Sequence, residues 1–183
     1  MNTPQTGSLL IAEPFLKDPN FIRTVVLICE SNSDGDFGLV LNRLMEFTLD
    51  ELNDSFEGYK IPLYYGGPVQ PNHVHFIHQY PNLFNDAIKI ADGIYWGGNF
   101  ETLTSLIKSN GIDLEKIKIF MGYSGWDTHQ LQDEVKENTW LTAPANSNIV
   151  FKTTHHQIWK SSLTLLGAKY QMMANFPIDP QLN

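Results

Sequence analysis

Two apolar runs joined by a very short turn do most to limit the folds open to this chain. Residues 24–29 are almost continuously β-branched or apolar, as expected of a strand buried on both faces. The turn formers of residues 31–35 follow, and residues 37–42 make a second strand. A connection this short closes an antiparallel hairpin, because a parallel crossover needs about a dozen residues or more. A purely parallel, doubly wound sheet is therefore excluded.

Short strands alternate with a few helices along the rest of the chain. The patterns predict further strands at residues 8–12, 63–65, 74–78, 94–96 and 117–121. Helices are predicted after Asn99, from about Trp126 or Asp127, and over residues 154–166. Residues 94–121 thus make one β-α-β unit beside the hairpins. This combination predicts an α+β fold with a mixed, largely antiparallel sheet and three to four flanking helices.

Composition and chain ends indicate one intracellular domain. The 183 residues contain no repeat or linker, so we predict a single domain over residues 1–183 with an ordered core at about 7–167. The first residues lack the charge and apolar length of a signal peptide, and no apolar stretch could span a bilayer. We therefore predict a cytoplasmic protein without membrane contact. Cys29, the only cysteine, lies in an apolar run and is expected in the core.

The charge balance disfavours direct binding of nucleic acid. The chain has 12 basic against 20 acidic residues, a formal net charge of −8 at pH 7. Its lysines are dispersed, and its only arginines are Arg23 and Arg43. Nucleic-acid binding takes much of its affinity from a basic stripe that neutralises phosphates, and no such stripe is evident.

The segment Gly122-Tyr123-Ser124-Gly125-Trp126 is the first candidate for function, because it is predicted to lead from a strand into a helix. An α/β hydrolase places its nucleophilic serine at such a turn, but it needs glycine two residues after the serine, where this chain has Trp126. The alternatives are a plain capped turn, or exposed backbone N–H groups that bind an anion or a carbonyl. Asp127 in the first helical turn would weaken anion binding.

A second glycine turn and an arginine at a strand end are the other candidates. Gly66-Gly67-Pro68-Val69 permits a close backbone approach, although ordinary turn chemistry also explains it. Asn42-Arg43 ends a strand, where rigid scaffolds often present binding groups. The guanidinium could bind a carboxylate, a phosphate or a partner's backbone, or it could pair with Glu46.

The six histidines do not form a metal-binding pattern. His73 and His75 share one face of a strand while His78 points to the other, and two ligands are too few for a closed site. His155 and His156 diverge on a helix. The sequence therefore predicts no metal and no cofactor.

Several motifs, taken in order, resemble the YqgE/AlgH family of small bacterial proteins. The matching segments are Gly7-Ser8-Leu9-Leu10-Ile11-Ala12 with Pro14, Asp18-Pro19-Asn20-Phe21, Thr24-Val25-Val26, Gly38-Leu39-Val40-Leu41-Asn42-Arg43, Gly66-Gly67-Pro68-Val69, Gly122-Tyr123-Ser124-Gly125-Trp126, Gln130-Leu131 with Glu134, and Trp159 with Leu166-Gly167. Two positions depart from the pattern: Asp127 stands where glycine is frequent, and Leu44 where proline is common. The resemblance implies an α+β fold whose branched sheet curls toward a barrel. It brings a label of transcriptional regulator but no particular reaction.

The leading hypothesis is a non-enzymatic binding or regulatory protein with a small ligand or a protein as its partner. Its candidate surface consists of Asn42, Arg43, Gly66, Gly67, Pro68, Tyr123, Ser124, Gly125 and Trp126. One alternative is a hydrolase or transferase that uses the same loops, with His78 as acid or base. The other is direct transcriptional regulation. No catalytic residue is assigned.

Overall fold

A branched sheet of ten strands organises the part of the chain that the computed structural model describes, residues 3–176. The strands are β1 (Ser8–Ala12), β2 (Val25–Asn32), β3 (Gly35–Val40), β4 (Leu44–Thr48), β5 (Pro62–Tyr65), β6 (Val69–His78), β7 (Ile88–Ala91), β8 (Ile94–Trp96), β9 (Ile117–Asp127) and β10 (Trp140–Pro144). The α-helices are α1 (Leu49–Leu52), α2 (Phe100–Lys108), α3 (Gln130–Lys136), α4 (His155–Thr164) and α5 (Ala168–Met173). Short 3-10 turns at Asp54–Phe56 and Leu114–Lys116 and a π-helical segment at Asn148–Lys152 complete the elements.

The hairpin predicted from the two apolar runs is confirmed. β2 and β3 are antiparallel, with Val26 opposite Val40 and Asn32 opposite Gly35. Only Ser33 and Asp34 lie between the two strands, so the connection is tighter than the sequence suggested. β1 and β10 extend this half of the sheet, and all of their pairings are antiparallel.

The sheet branches along β9, its longest strand. In the first half of β9, Ile119 lies between Leu63 of β5, which runs parallel, and Phe76 of β6, which runs antiparallel. Beyond Gly122 the strand leaves β5 and pairs with β3 instead, over Ser124–Asp127. One strand therefore belongs to two regions of the sheet. These two regions diverge, so that the sheet curls into a half-barrel.

The crossover predicted between residues 94 and 121 is also present. β8 and β9 are both antiparallel to β6, so they run parallel to each other, and α2 lies between them in the chain. Asn99 caps α2, accepting a hydrogen bond from the backbone N–H of Thr102 at 2.9 Å. Leu103 and Ile107 form its buried face.

Helices cover both faces of the sheet and close its hydrophobic core. α4 packs on β1 and β2 through Ile158, Trp159 and Leu163, whereas α3 covers the opposite face through Leu131 and Val135. The protein is a single α+β domain with a curled, largely antiparallel sheet, as predicted. Cys29 is buried in the part of the core that α4 covers, and burial raises the pKa of its thiol well above the usual value.

The carboxyl-terminal segment is more structured than expected at its start. α5 occupies residues 168–173, where a loose end had been predicted, while residues 177–183 of that end, like residues 1–2, lie outside the described part. None of the helices within residues 3–176 is long and apolar enough to cross a membrane.

Candidate functional site

The two glycine segments are in direct backbone contact at the branch of the sheet. The N–H of Gly66 donates to the carbonyl of Met121 at 2.8 Å, and its carbonyl accepts from the N–H of Val40 at 2.9 Å. A Cβ on Gly66 would overlap the carbonyl oxygen of Gly122. A Cβ on Gly67 would overlap the backbone of Tyr123 and Ser124. Close packing of three strands thus explains why glycine is required here.

The prediction that Gly122-Tyr123-Ser124-Gly125-Trp126 turns into a helix is wrong. These residues all belong to β9, which continues until Asp127, and α3 begins only at Gln130. Ladder pairing overrides the local helix-start signal, because Trp126 lies opposite Asp36 and Asp127 lies opposite Gly35. No helix N-terminus is therefore available at this segment to bind an anion.

Ser124 and His78, the side chains that the sequence offers for catalysis, face the interior. Ser124 is fully buried, and its Oγ donates to the carbonyl of Gly66 at 3.1 Å. His78 is also fully buried: its Nε2 lies 3.1 Å from the carbonyl of Gly97, and its Nδ1 accepts from the N–H of Tyr80 at 3.1 Å. Burial lowers the pKa of His78, with the bond to Gly97 acting in the opposite direction. Both groups are committed to internal bonds.

Asn42 and Arg43 also bind within the protein. The side chain of Asn42 accepts from the N–H of Val25 and donates to the carbonyl of Arg23, both at 2.9 Å. The guanidinium of Arg43 donates to the carbonyl of Pro19 at 2.9 Å. These two side chains hold the segment that leads into β2. Neither of them lines the two open grooves beside β9.

Four of the candidate residues do lie along two open grooves at the C-terminal end of β9. Pro68 and Gly125 are exposed, while Tyr123 and Trp126 are partly or largely buried. The smaller groove, of about 290 Å³, is lined by Pro68, Gly125 and Trp126. Glu134 anchors its wall, since one carboxylate oxygen accepts from the indole N–H of Trp126 at 2.9 Å and from that of Trp140 at 2.8 Å.

The larger groove, which we call the acidic groove, combines carboxylates with an aromatic floor. It has a volume of about 410 Å³ and is lined by Glu30, Asn32, Asp34, Gly35, Asp36, Phe37, Val69, Tyr123, Gly125, Trp126 and Asp127. The rings of Phe37 and Tyr123 stack with their centroids 4.6 Å apart. No lysine, arginine or histidine is among the lining residues.

The negative charge of the acidic groove is not compensated by ion pairs. Within residues 3–176 the ion pairs are Lys89–Asp92, Lys116–Asp113 and Lys136–Asp133, and none involves the groove. Sequence reasoning missed these carboxylates. A usable signal was present, because Glu30, Asp34 and Asp36 all lie within or beside the two-residue turn of the β2–β3 hairpin. No three His, Cys, Asp or Glu side chains in the described residues are close enough to hold a metal ion.

Fold and site together define a class: a small α+β protein whose half-barrel sheet branches at interlocked glycines, with open grooves beside the branch. The chain belongs to the AlgH-like family, whose model matches residues 9–171. This confirms the resemblance seen in the motifs. It is 42% identical to a UPF0301 protein of Chlorobium limicola over 177 residues, which cover 97% of this chain and 95% of that one. A UPF0301 protein of Cytophaga hutchinsonii is 37% identical over 178 residues, covering 97% and 98% of the two chains.

Two solved structures share the fold. The solution structure of the AlgH protein from Pseudomonas aeruginosa matches with a TM-score of 0.75 and 26% identity, over 97% of this chain and 98% of that one. A crystal structure of a protein from Corynebacterium diphtheriae matches with a TM-score of 0.80 and 20% identity, over 96% and 94% of the chains. The second likeness concerns the fold alone.

Proposed function

We propose that this protein is a non-enzymatic binding or regulatory protein that recognises a basic segment of a partner protein in the acidic groove. The observation that carries this proposal is the set of three exposed carboxylates, Glu30, Asp34 and Asp127, which line one groove with the largely buried Asp36 and without any basic residue. Opposed potentials across an interface steer encounter and select partners. A lysine- or arginine-bearing segment is the complementary occupant.

The floor of the groove favours a peptide over a bare cation. The stacked rings of Phe37 and Tyr123, with Val69 beside them, offer an apolar surface to the aliphatic part of a long basic side chain. An arginine can also stack its guanidinium on an aromatic face while it binds a carboxylate. The groove is open and small, as expected for a transient contact with a short segment.

The internal bonds of the glycine segments support binding over catalysis. The buried hydroxyl of Ser124 is bonded to Gly66, so it is poorly suited to attack a substrate. An acidic groove would repel the phosphates of DNA, which weighs against direct transcriptional regulation through this face. A cytoplasmic location stays a prediction from the sequence, and fractionation of cells that express a tagged chain would test it.

We expect a fluorescein-labelled hexaarginine peptide to bind the protein and to lose affinity when the groove is neutralised. The triple variant Glu30→Gln, Asp34→Asn, Asp127→Asn removes exposed charges with little change of shape. Its affinity should fall at least about tenfold at about 0.1 M ionic strength, where the Debye length is about 10 Å, since three attractive charges are lost. Fluorescence anisotropy measures the binding.

A charge-matched variant separates local recognition from overall charge. Glu57→Gln, Glu101→Gln, Glu137→Gln changes the net charge equally at exposed positions outside the groove. Its affinity should stay within about twofold of the parent chain, because exposed charges farther than a Debye length are screened. An equal loss in both triple variants, or no loss in the groove variant, would contradict the proposal.

A further inference from the structure

A buried lysine without a hydrogen-bond partner lies at the other end of β9. Lys118 stands between Ile117 and Ile119 and is only 7% exposed. Its Nζ atom is buried and makes no hydrogen bond to any residue between 3 and 176, and it lies over the ring face of Tyr64, 4.5 Å from the centroid. An ammonium group left without hydrogen bonds in the interior costs stability. A buried ionisable group that lines a cleft is therefore a candidate for ligand binding.

Lys118 lines two adjoining cavities that together form a cleft. The cavities have volumes of about 480 Å³ and about 380 Å³ and share Tyr64, Glu115, Lys118 and Phe151. We call the two together the Lys118 cleft.

The Lys118 cleft is locally basic in an acidic protein. Lys60, Lys116 and Lys152 line it together with Lys118. Asp113 is already paired with Lys116 at 3.8 Å, and within residues 3–176 no carboxylate lies within ion-pair distance of Lys118. Burial lowers the pKa of Lys118 to about 8.

The cleft also receives the N-terminus of α4. Thr154, its N-cap residue, and His155 line the cleft, and the Thr154 side chain caps none of the first N–H groups. The first turn contains no acidic residue. An uncapped helix N-terminus directs backbone N–H groups and positive potential at whatever lies before it. Burial lowers the pKa of His155, and the charges of His156 and Lys118 lower it further, as expected at a site of positive potential.

We infer that the Lys118 cleft binds a small molecule that carries a phosphate group, which accepts hydrogen bonds from Lys118 and from the N-terminus of α4. The pairing of a lysine with a helix N-terminus suits a phosphate, which has more charge and more acceptor oxygens than a carboxylate. The aromatic side chains of Tyr64 and Phe151 leave an apolar wall for the rest of the ligand. This site is independent of the acidic groove.

The test is a titration of the whole protein with inorganic phosphate, phenyl phosphate and benzoate, followed by two-dimensional amide NMR at pH 7. We expect saturable shifts for Lys118, His155 and His156 with both phosphates, the tighter binding with phenyl phosphate, and weaker binding of benzoate. Absence of saturable shifts up to about 10 mM of either phosphate would overturn the proposal. Equal affinity for benzoate would overturn the assignment of the phosphate class.

Two variants and a control make the result specific. Lys118→Met should weaken phosphate binding at least about tenfold, because the central cation is lost. Thr154→Asp keeps Lys118 but adds a carboxylate at the cap, which stabilises α4 and should exclude the anion equally well. Lys160→Met removes an exposed charge elsewhere on α4 and should leave the affinity unchanged. If Lys160→Met weakens binding as much as Lys118→Met, net charge is responsible and the site is refuted.

Discussion

A Gly66→Ala variant should lose at least about 3 kcal/mol of unfolding free energy, or fail to fold. The added methyl group would overlap the carbonyl oxygen of Gly122 and press on Leu39. The backbone cannot move aside, because Gly66 is bonded on one side to Met121 and on the other to Val40. Urea unfolding followed by circular dichroism gives the free energy.

Two other glycines serve as controls for this result. Gly125→Ala changes an exposed residue of the neighbouring strand, where the new methyl group would contact only the Tyr123 ring at 3.3 Å and Val69 at 4.0 Å beyond its chain neighbours. It should cost less than about 1 kcal/mol. Gly58→Ala, at a φ of +85° with open space around it, isolates the cost of backbone strain, about 1 kcal/mol. A Gly66→Ala variant as stable as Gly58→Ala would show that the branch is not tightly interlocked.

The β2–β3 hairpin can be predicted from the sequence, whereas the branch of the sheet cannot. The β2–β3 hairpin depends on residues 24–42 alone, so its turn chemistry and apolar runs suffice to predict it. The branch depends on β5 meeting β9 in parallel, with Leu63 opposite Ile119, and nothing local in the sequence encodes that pairing. The prediction of a curled sheet came from the family resemblance and not from the periodicity of the sequence.

The error at the end of β9 has a physical cause. Asp127 and Gln130 have the spacing of a helix-start pair, and the contact exists, since the N–H of Asp127 donates to Oε1 of Gln130 at 3.0 Å. The backbone nevertheless stays extended through Asp127, because Ser124 to Asp127 form ladder pairs with β3. Tertiary pairing outweighed a local propensity that is worth only a fraction of a kcal/mol per residue.

The candidate site was predicted only in part, because sequence motifs do not reveal where polar groups find their partners. Asn42, Arg43 and Ser124 looked available in the sequence, yet each is bonded inside the protein. Lys118 looked like one of several dispersed lysines, although a charged residue within the apolar run 117–121 was a signal that it could be buried.

Replacing that lysine should stabilise the protein. Lys118→Met keeps the approximate length and volume of the side chain but removes an ammonium group that makes no hydrogen bond within the described part of the chain. Lowering the pKa from 10.5 to about 8 corresponds to an upper bound of about 3 kcal/mol. We expect a gain of about 1–3 kcal/mol at pH 7, since the contact with the Tyr64 ring is lost as well. Urea unfolding of the parent protein and of the Lys118→Met variant in phosphate-free buffer measures this gain.

The gain from Lys118→Met should also depend on pH, with a sign fixed by the direction of the shift. Between pH 8 and 10.5 the unfolded chain holds the Lys118 proton more firmly than the folded chain, so the stability of the parent rises with pH relative to the variant. The gap is full below pH 8 and closes toward 10.5. Lys116, Lys152, His155, Glu115 and Tyr64 line the same cleft, and they, like the buried Cys29, are common to both chains. Their own titrations therefore largely cancel in the difference between the two curves. A gap that stays constant up to about pH 10 would mean that better packing alone stabilises the variant, and that Lys118 carries no buried charge to neutralise.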